Sequence, residues 1–149
     1  MNATPTEPTA ARAPAPEAPP GQPPALTLDG HCATITLRRP QVANRLEPED
    51  LDRLIEQVRE VDARPEVRVL CLAGEGRHLC SGFNIGRVGD TPGRDPGALF
   101  ERLADAIERA RPVTVAAIQG GVYGGGTDLA LACDFRLGVS TSEMFVPAA

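Results

Sequence analysis

Three consecutive glycines, Gly124-Gly125-Gly126, are followed two residues later by Asp128, and the sequence from Thr127 to Ala132 turns helical. The first amides of a helix have no intrahelical acceptor, and the helix dipole puts partial positive charge beside them. Amides so placed stabilise negative charge developing on an oxygen, such as that of a thioester passing to an enolate or oxyanion. A carboxylate in the first turn, Asp128, is a candidate general base or acid. A structural glycine turn accounts for the same glycines, and a charge favouring the dipole accounts for Asp128. Both alternatives stay open on these residues alone.

A second glycine-bearing loop runs from Gly74 to Ile85. Gly74-Glu75-Gly76 opens like a dinucleotide fingerprint, but Leu79 stands where the third glycine belongs. No Gly-Lys-Ser/Thr follows, so it is not a P-loop, and Leu79 two residues before Ser81 rules out a nucleophile elbow. His78 and Cys80 suggest a catalytic dyad, but a dyad needs close geometry and an orienting third group. A solvated histidine beside a packed cysteine is the plainer reading.

The elements that must position these loops alternate. Leu26–Leu28 and Ala33–Leu37 are β-type runs separated by Asp29-Gly30, a hairpin signal. A helix follows from Pro48, with Glu47, Glu49 and Asp50 at the positive end of its dipole and Leu51, Leu54, Ile55, Val58 and Val61 on one face. Val67–Ala73 is a strand. A second helix spans Gly97–Ala110, with Leu99, Phe100, Leu103, Ile107 and Ala110 as its apolar stripe. Val113–Ile118 is a buried-type strand, and Asp134–Val139 a further one. Both glycine loops thus follow strands, and the alternation implies an α/β fold with mostly parallel strands.

Met1–Pro24 holds 8 of the 15 prolines and almost no aliphatic side chains, and reads as a disordered Pro/Ala-rich tail before a domain over 25–149. It has no apolar segment of the signal-peptide kind, and no run approaches the ~20 apolar residues of a membrane span. The net charge of −5 and 3% aromatic content argue against nucleic-acid binding. The cysteines Cys32, Cys71, Cys80 and Cys133 form no CxxC pair, and with two histidines in the chain no metal site is expected. Reduced thiols in a cytoplasmic protein are expected.

The loops resemble the signatures of the crotonase superfamily, the enoyl-CoA hydratase/isomerase family. Its first signature, roughly F-S-A-G-A-D-L, corresponds to Leu79-Cys80-Ser81-Gly82-Phe83-Asn84-Ile85. Its second, roughly G-x-x-x-G-G-G-x-E-L-x-x-x-C-D, corresponds to Gly120 through Asp134. Leu37-Arg38-Arg39-Pro40 and Asn44-Arg45-Leu46 match the family's entry to the first helix. The resemblance covers Leu26–Ala149 and implies a crotonase-like ββα spiral, incomplete at the C-terminus. It implies an oxyanion hole built from the N–H groups of Phe83 and Gly125, with Asp128 where hydratases carry their first catalytic glutamate. A bulky residue at Phe83 is similar to the dehalogenase-type members.

The resemblance further implies that Ala43, Arg45, Cys80, Gly82, Asn84, Ile85 and Tyr123 contact coenzyme A, present as part of a thioester substrate, with no other cofactor. The second hydratase glutamate falls near Ala148 or Ala149, neither of which ionises. The implied function is an acyl-CoA enzyme of hydratase or isomerase type in fatty-acid metabolism, a lyase or isomerase. The alternatives are a non-catalytic acyl-CoA- or partner-binding protein and an inactive fragment. Family domains run to about twice this ordered length, so the chain is expected to be the front part of a longer protein, with little activity alone and with uncovered apolar faces. The full-length form is expected to be a homotrimer or a dimer of trimers.

Overall fold

The computed structural model describes residues 20–87 and 95–146. Residues 1–19 of the expected tail lie outside the described residues, as do Ala148 and Ala149. Order begins before the expected boundary at Ala25: β1 runs Gln22–Asp29, with Gln22 opposite Arg38. Pro23 and Pro24 fit because β1 is an edge strand, where missing N–H donors cost nothing. Their carbonyls are used instead, Pro23 O accepting from Arg38 Nε at 2.8 Å and Pro24 O from Gln57 Nε2 at 2.9 Å.

A two-residue turn, Gly30-His31, joins β1 to β2 (Cys32–Arg38), as the Asp-Gly signal implied. The chain continues through α1 (Pro48–Asp62), β3 (Val69–Gly74), α2 (Pro96–Glu108), β4 (Val113–Ile118), β5 (Gly121–Tyr123), α3 (Gly125–Ala132), β6 (Phe135–Gly138) and β7 (Glu143–Phe145). The main sheet has the order β1-β2-β3-β4-β6, antiparallel at the first pair and parallel thereafter. β5 and β7 form a small parallel pair beneath the second glycine loop. The sequence did not signal β7, three exposed residues with no alternation of its own.

The core lies between one face of the sheet and the helices. Ala33, Ile35 and Leu37 of β2 and Ala116 and Ile118 of β4 meet Leu51, Leu54, Ile55, Val58 and Val61 of α1 and Leu99, Leu103 and Ile107 of α2. β4, read from its sequence as buried throughout, alternates instead: Thr114, Ala116 and Ile118 are buried while Val115 and Ala117 are half-buried. Helices cover one face only, which gives a period of two. Phe135, Leu137, Val139, Phe145 and Val146 are each more than half exposed, in line with the expectation of uncovered apolar surface.

A buried ion pair joins the sheet to α1. Arg39, just after β2, donates from Nε and Nη2 to the two Asp50 oxygens at 2.8 and 3.0 Å, and both side chains are almost fully buried. Asp50 Oδ2 also accepts the Glu47 N–H at 3.0 Å, capping the helix from within. Its role therefore exceeds the dipole charge read from sequence. Removing one member strands the other charge, which typically costs about 3–5 kcal/mol. Asp50→Ala and Arg39→Met are each expected to lose stability of that order in urea unfolding, with the double variant losing less than the sum.

Candidate active site: a cleft between two glycine loops

Asn44 ties the entry of α1 to the first glycine loop. Its backbone is left-handed (φ 54) and its side chain buried, a conformation asparagine tolerates better than most residues. Its Oδ1 accepts the Arg39 N–H at 2.8 Å, and its Nδ2 donates to the carbonyls of Glu75 and His78 at 2.8 and 2.9 Å. Two residues later, Leu46 N–H donates to Gly82 O at 2.8 Å and Leu46 O accepts from Asn84 N–H at 2.9 Å. Successive amides of an extended segment face opposite sides. Bonding the flanks of Phe83 to Leu46 therefore turns the Phe83 N–H away from Leu46, and it finds no hydrogen-bond acceptor among the described residues.

The second loop is sewn to the first. Tyr123 N–H donates to Cys80 O at 2.9 Å, and Leu79 N–H to Gly121 O at 3.1 Å. Gly124 caps α3 with φ 52 and ψ −132, a conformation open to glycine, and its N–H reaches Phe145 O of β7 at 3.0 Å. Gly125 is the first residue of α3, and its N–H also lacks an acceptor among the described residues. The loops meet at Gly82, which has φ 92; a Cβ there would lie 3.0 Å from the Gly125 nitrogen. Gly82 is thus fixed by backbone conformation and by close approach.

Beside this junction opens a cleft of about 410 Å³ lined by Phe83, Ile85, Asp95, Pro96, Gly97, Phe100, Gly125 and Asp128. It is apolar apart from the two carboxylates and backbone groups. The fold thus brings Phe83, Gly125, Asp128 and Ile85 to one space. Asp128 is exposed, and Ile85 is 82% exposed at the rim. A separate apolar void of about 20 Å³, lined by Leu54, Leu72, Leu103 and Leu129 among others, belongs to the core packing.

The other expected site residues lie around the cleft rather than on its wall. Ala43 is left-handed (φ 51) in the turn before Asn44. Arg45 Nη2 pairs with Glu47 at 3.2 Å. Cys80 is buried, its thiol pushed up to about 12 by burial, and its Sγ accepts the Gly82 N–H at 3.4 Å. Tyr123 donates its hydroxyl to Glu143 at 3.3 Å and sets its ring 5.8 Å from that of His78. His78 Nδ1 accepts the Gly121 N–H at 3.0 Å, so His78 and Cys80 serve separate backbone amides.

Sequence reasoning missed three contributors. Asp95 caps α2 by accepting the Gly97 N–H at 2.9 Å, and also lines the cleft; the Asp-Pro pair before an apolar run is the signal of such a cap. Phe100, assigned to the core stripe of α2, is half-buried and turned to the cleft, where a Cβ on Gly125 would come within 3.0 Å of its ring. Helical spacing cannot separate a core residue from one at the margin of the stripe. The third is Glu47, wholly buried beside Asn84. Burial alone raises its pKa, but hydrogen bonds from Asn84, Arg87 and Arg45 outweigh that and hold it below the ordinary carboxylate value.

Two outcomes follow from this geometry. Gly82→Ala forces a side chain into a left-handed position, about 1–2 kcal/mol, and against the Gly125 amide; urea unfolding should show at least that loss. Glu47 stabilises the fold fully above its ordinary pKa of 4.5, and the contribution disappears as pH falls through the lower folded-state value. The stability difference between the parent and Glu47→Gln should therefore be largest at neutral pH and shrink steadily on acidification, as measured by urea unfolding across the acid range.

Comparison with known proteins gives a consistent result. A sequence model described as enoyl-CoA hydratase/isomerase matches residues 28–147. The chain is 34% identical over 125 residues to (E)-benzylidenesuccinyl-CoA hydratase of Thauera aromatica, covering 80% of this chain and 48% of that protein. It is 32% identical over 117 residues to the peroxisomal Delta(3,5)-Delta(2,4)-dienoyl-CoA isomerase of Arabidopsis thaliana, covering 68% and 42%. The crystal structure of an enoyl-CoA hydratase from Bacillus anthracis superposes with a TM-score of 0.77 at 28% identity, over 84% of this chain and 50% of that one. The chain spans about half the length of the curated relatives it matches. With the parallel sheet, the paired glycine loops and these matches together, the chain belongs to the enoyl-CoA hydratase/isomerase family and has the crotonase fold.

Proposed function

We propose that the cleft receives an acyl-CoA thioester, whose carbonyl oxygen accepts hydrogen bonds from the Phe83 and Gly125 amides while Asp128 moves a proton at the neighbouring carbon. One observation carries this reading: two backbone N–H groups without acceptors among the described residues flank one apolar cleft, with Gly82 packed against the Gly125 nitrogen and a carboxylate on the wall. Donors already fixed in place need no reorganisation when charge develops on the oxygen. The apolar wall of Phe100, Pro96 and Ile85 suits an acyl chain.

In this reading Asp128 takes the α-proton, the C–H electron pair moves into a new carbon–carbon double bond, and the carbonyl pair moves onto oxygen between the two amides. Delivery of a solvent-derived proton to the same carbon gives exchange. Where the acyl chain carries a β,γ double bond, protonation of the resulting dienolate at the γ-carbon shifts that bond to the α,β position, which is isomerisation. Coenzyme A enters as part of the substrate. Ala43, Arg45, Cys80, Gly82, Asn84, Ile85 and Tyr123 are then the neighbourhood of its pantetheine and nucleotide, with Ile85 the member most open to solvent.

A non-catalytic acyl-CoA-binding protein is the second reading. It is favoured by Ala148 and Ala149, which place no ionisable group where hydratases carry their second glutamate. The two readings separate on Asp128→Asn. An enzyme of this kind loses about 100-fold or more of its α-proton exchange with butyryl-CoA in D2O, followed by NMR over long incubation, while still binding the ester. Identical behaviour of parent and variant in both measurements supports the binding protein.

A further inference from the structure

Resting on that reading, we propose that Glu47 is a positioning residue for the Phe83 donor: by gripping the Asn84 side chain it fixes the segment Gly82–Asn84 so that the Phe83 N–H faces the thioester oxygen. Asn84 Nδ2 lies 3.2 and 3.0 Å from the two Glu47 oxygens. Glu47 has no exposed side-chain surface, and the proton transfers assigned to Asp128 make no use of it.

Helix capping alone does not explain this carboxylate. Glutamate is not among the favoured N-cap residues. Although Glu47 and Asp50 form a reciprocal capping box, with the Glu47 N–H donating to Asp50 Oδ2 at 3.0 Å, the carboxylate also binds groups outside the helix. A buried carboxylate is costly unless its oxygens are satisfied. Here they are spent on Asn84, on Arg45 at 3.2 Å and on Arg87 at 3.2 Å. Each of these residues belongs to, or closes around, the loops that form the site. Arg87 also reaches Glu49 at 3.1 Å, and Arg39 faces Glu47 through Asp50, so the charges around Glu47 are arranged in alternating sign.

The consequence lies in the backbone. Leu46 bonds Gly82 O on one side of Phe83 and Asn84 N–H on the other. Those two bonds act as a hinge line, about which the segment keeps one rotational freedom. The Asn84 side chain, held off that line by Glu47, removes the freedom. A donor aimed in advance stabilises charge without reorganisation, and small misplacement forfeits much of the effect.

The test uses the full chain and crotonyl-CoA carrying 13C at the thioester carbonyl. Donors on the oxygen polarise the carbonyl and move its 13C resonance downfield. Glu47→Asp keeps the charge and the backbone N–H that donates to Asp50, and aspartate is itself a favoured N-cap residue, but it is one methylene too short for Asn84. Asn84→Ala removes the other partner. Each variant is expected to lose at least half of the downfield shift seen with the parent, to bind the ester about tenfold more weakly, and to remain folded by circular dichroism. The double variant should lose no more than either single one, since both break the same contact. Parent-like shifts in the two folded single variants overturn the proposal, and so do losses that add in the double variant. If the parent binds crotonyl-CoA without polarising it, the oxyanion-hole reading and the role of Glu47 fall together. If the parent fails to bind, the acyl-CoA reading falls first.

Discussion

The site depends on the way Leu46 pairs with the residues on either side of Phe83. A backbone amide with no acceptor costs free energy when it is shielded from water, and a loop left to itself turns to satisfy it. Leu46 prevents this by taking Gly82 O and Asn84 N–H, at 2.8 and 2.9 Å, so that the unsatisfied group is the one between them. The Gly125 N–H, without an acceptor among the described residues, has a different origin: it is the first amide of α3, orphaned by helix geometry. One donor is made by strand pairing and the other by a helix start. The contact between them narrows to Gly82, where any side chain meets the Gly125 nitrogen.

Behind that junction stands a row of buried polar groups that a purely apolar core would not need. Arg39, Asn44, Glu47 and Asp50 are all buried, and each bonds to a different part of the site's support. Arg39 and Asp50 join the end of β2 to the first turn of α1. Asn44 joins that turn to the loop after β3, and Glu47 joins α1 to the Phe83 segment. Such groups contribute little net stability compared with apolar replacements. They contribute direction, because a hydrogen bond fixes an angle that hydrophobic contact leaves free. The aliphatic core sets where sheet and helices lie, and the polar row sets where the loops point.

The outline of this was legible in the sequence because it follows from period and punctuation. The alternation of Ala33, Ile35 and Leu37, the helical spacing of Leu51 to Val61 and the breaks at Asp29-Gly30 and Pro112 determine strands and helices locally. The glycine loops were legible as places of close backbone approach. What was not legible depends on distant partners. Nothing in Gln22-Pro23-Pro24 announces a strand; it becomes one because Arg38 and Gln57 supply donors to its carbonyls. Phe100 shares the spacing of a core residue, yet it lines the cleft against Gly125, a neighbour its own sequence does not announce. Glu47 read as one more acidic residue at a helix start until the fold brought Asn84 to it from 37 positions away.

The carboxylates divide in the same way. Asp128 and Asp95 both line the cleft, yet they arrive by separate routes, one inside the first turn of α3 and the other as the cap of α2. Asp95 already accepts the Gly97 N–H through one oxygen, which fixes its place and engages that oxygen with the helix. Asp128 makes no hydrogen bond among the described residues and sits on the same helix end as the Gly125 donor. A group that moves protons needs a free oxygen and a fixed distance to the developing charge. Residues 125 and 128, one helical turn apart, meet that requirement together. In the proposed reading the helix that supplies the amide also supplies the acid–base group, and a single rigid element sets the spacing between them.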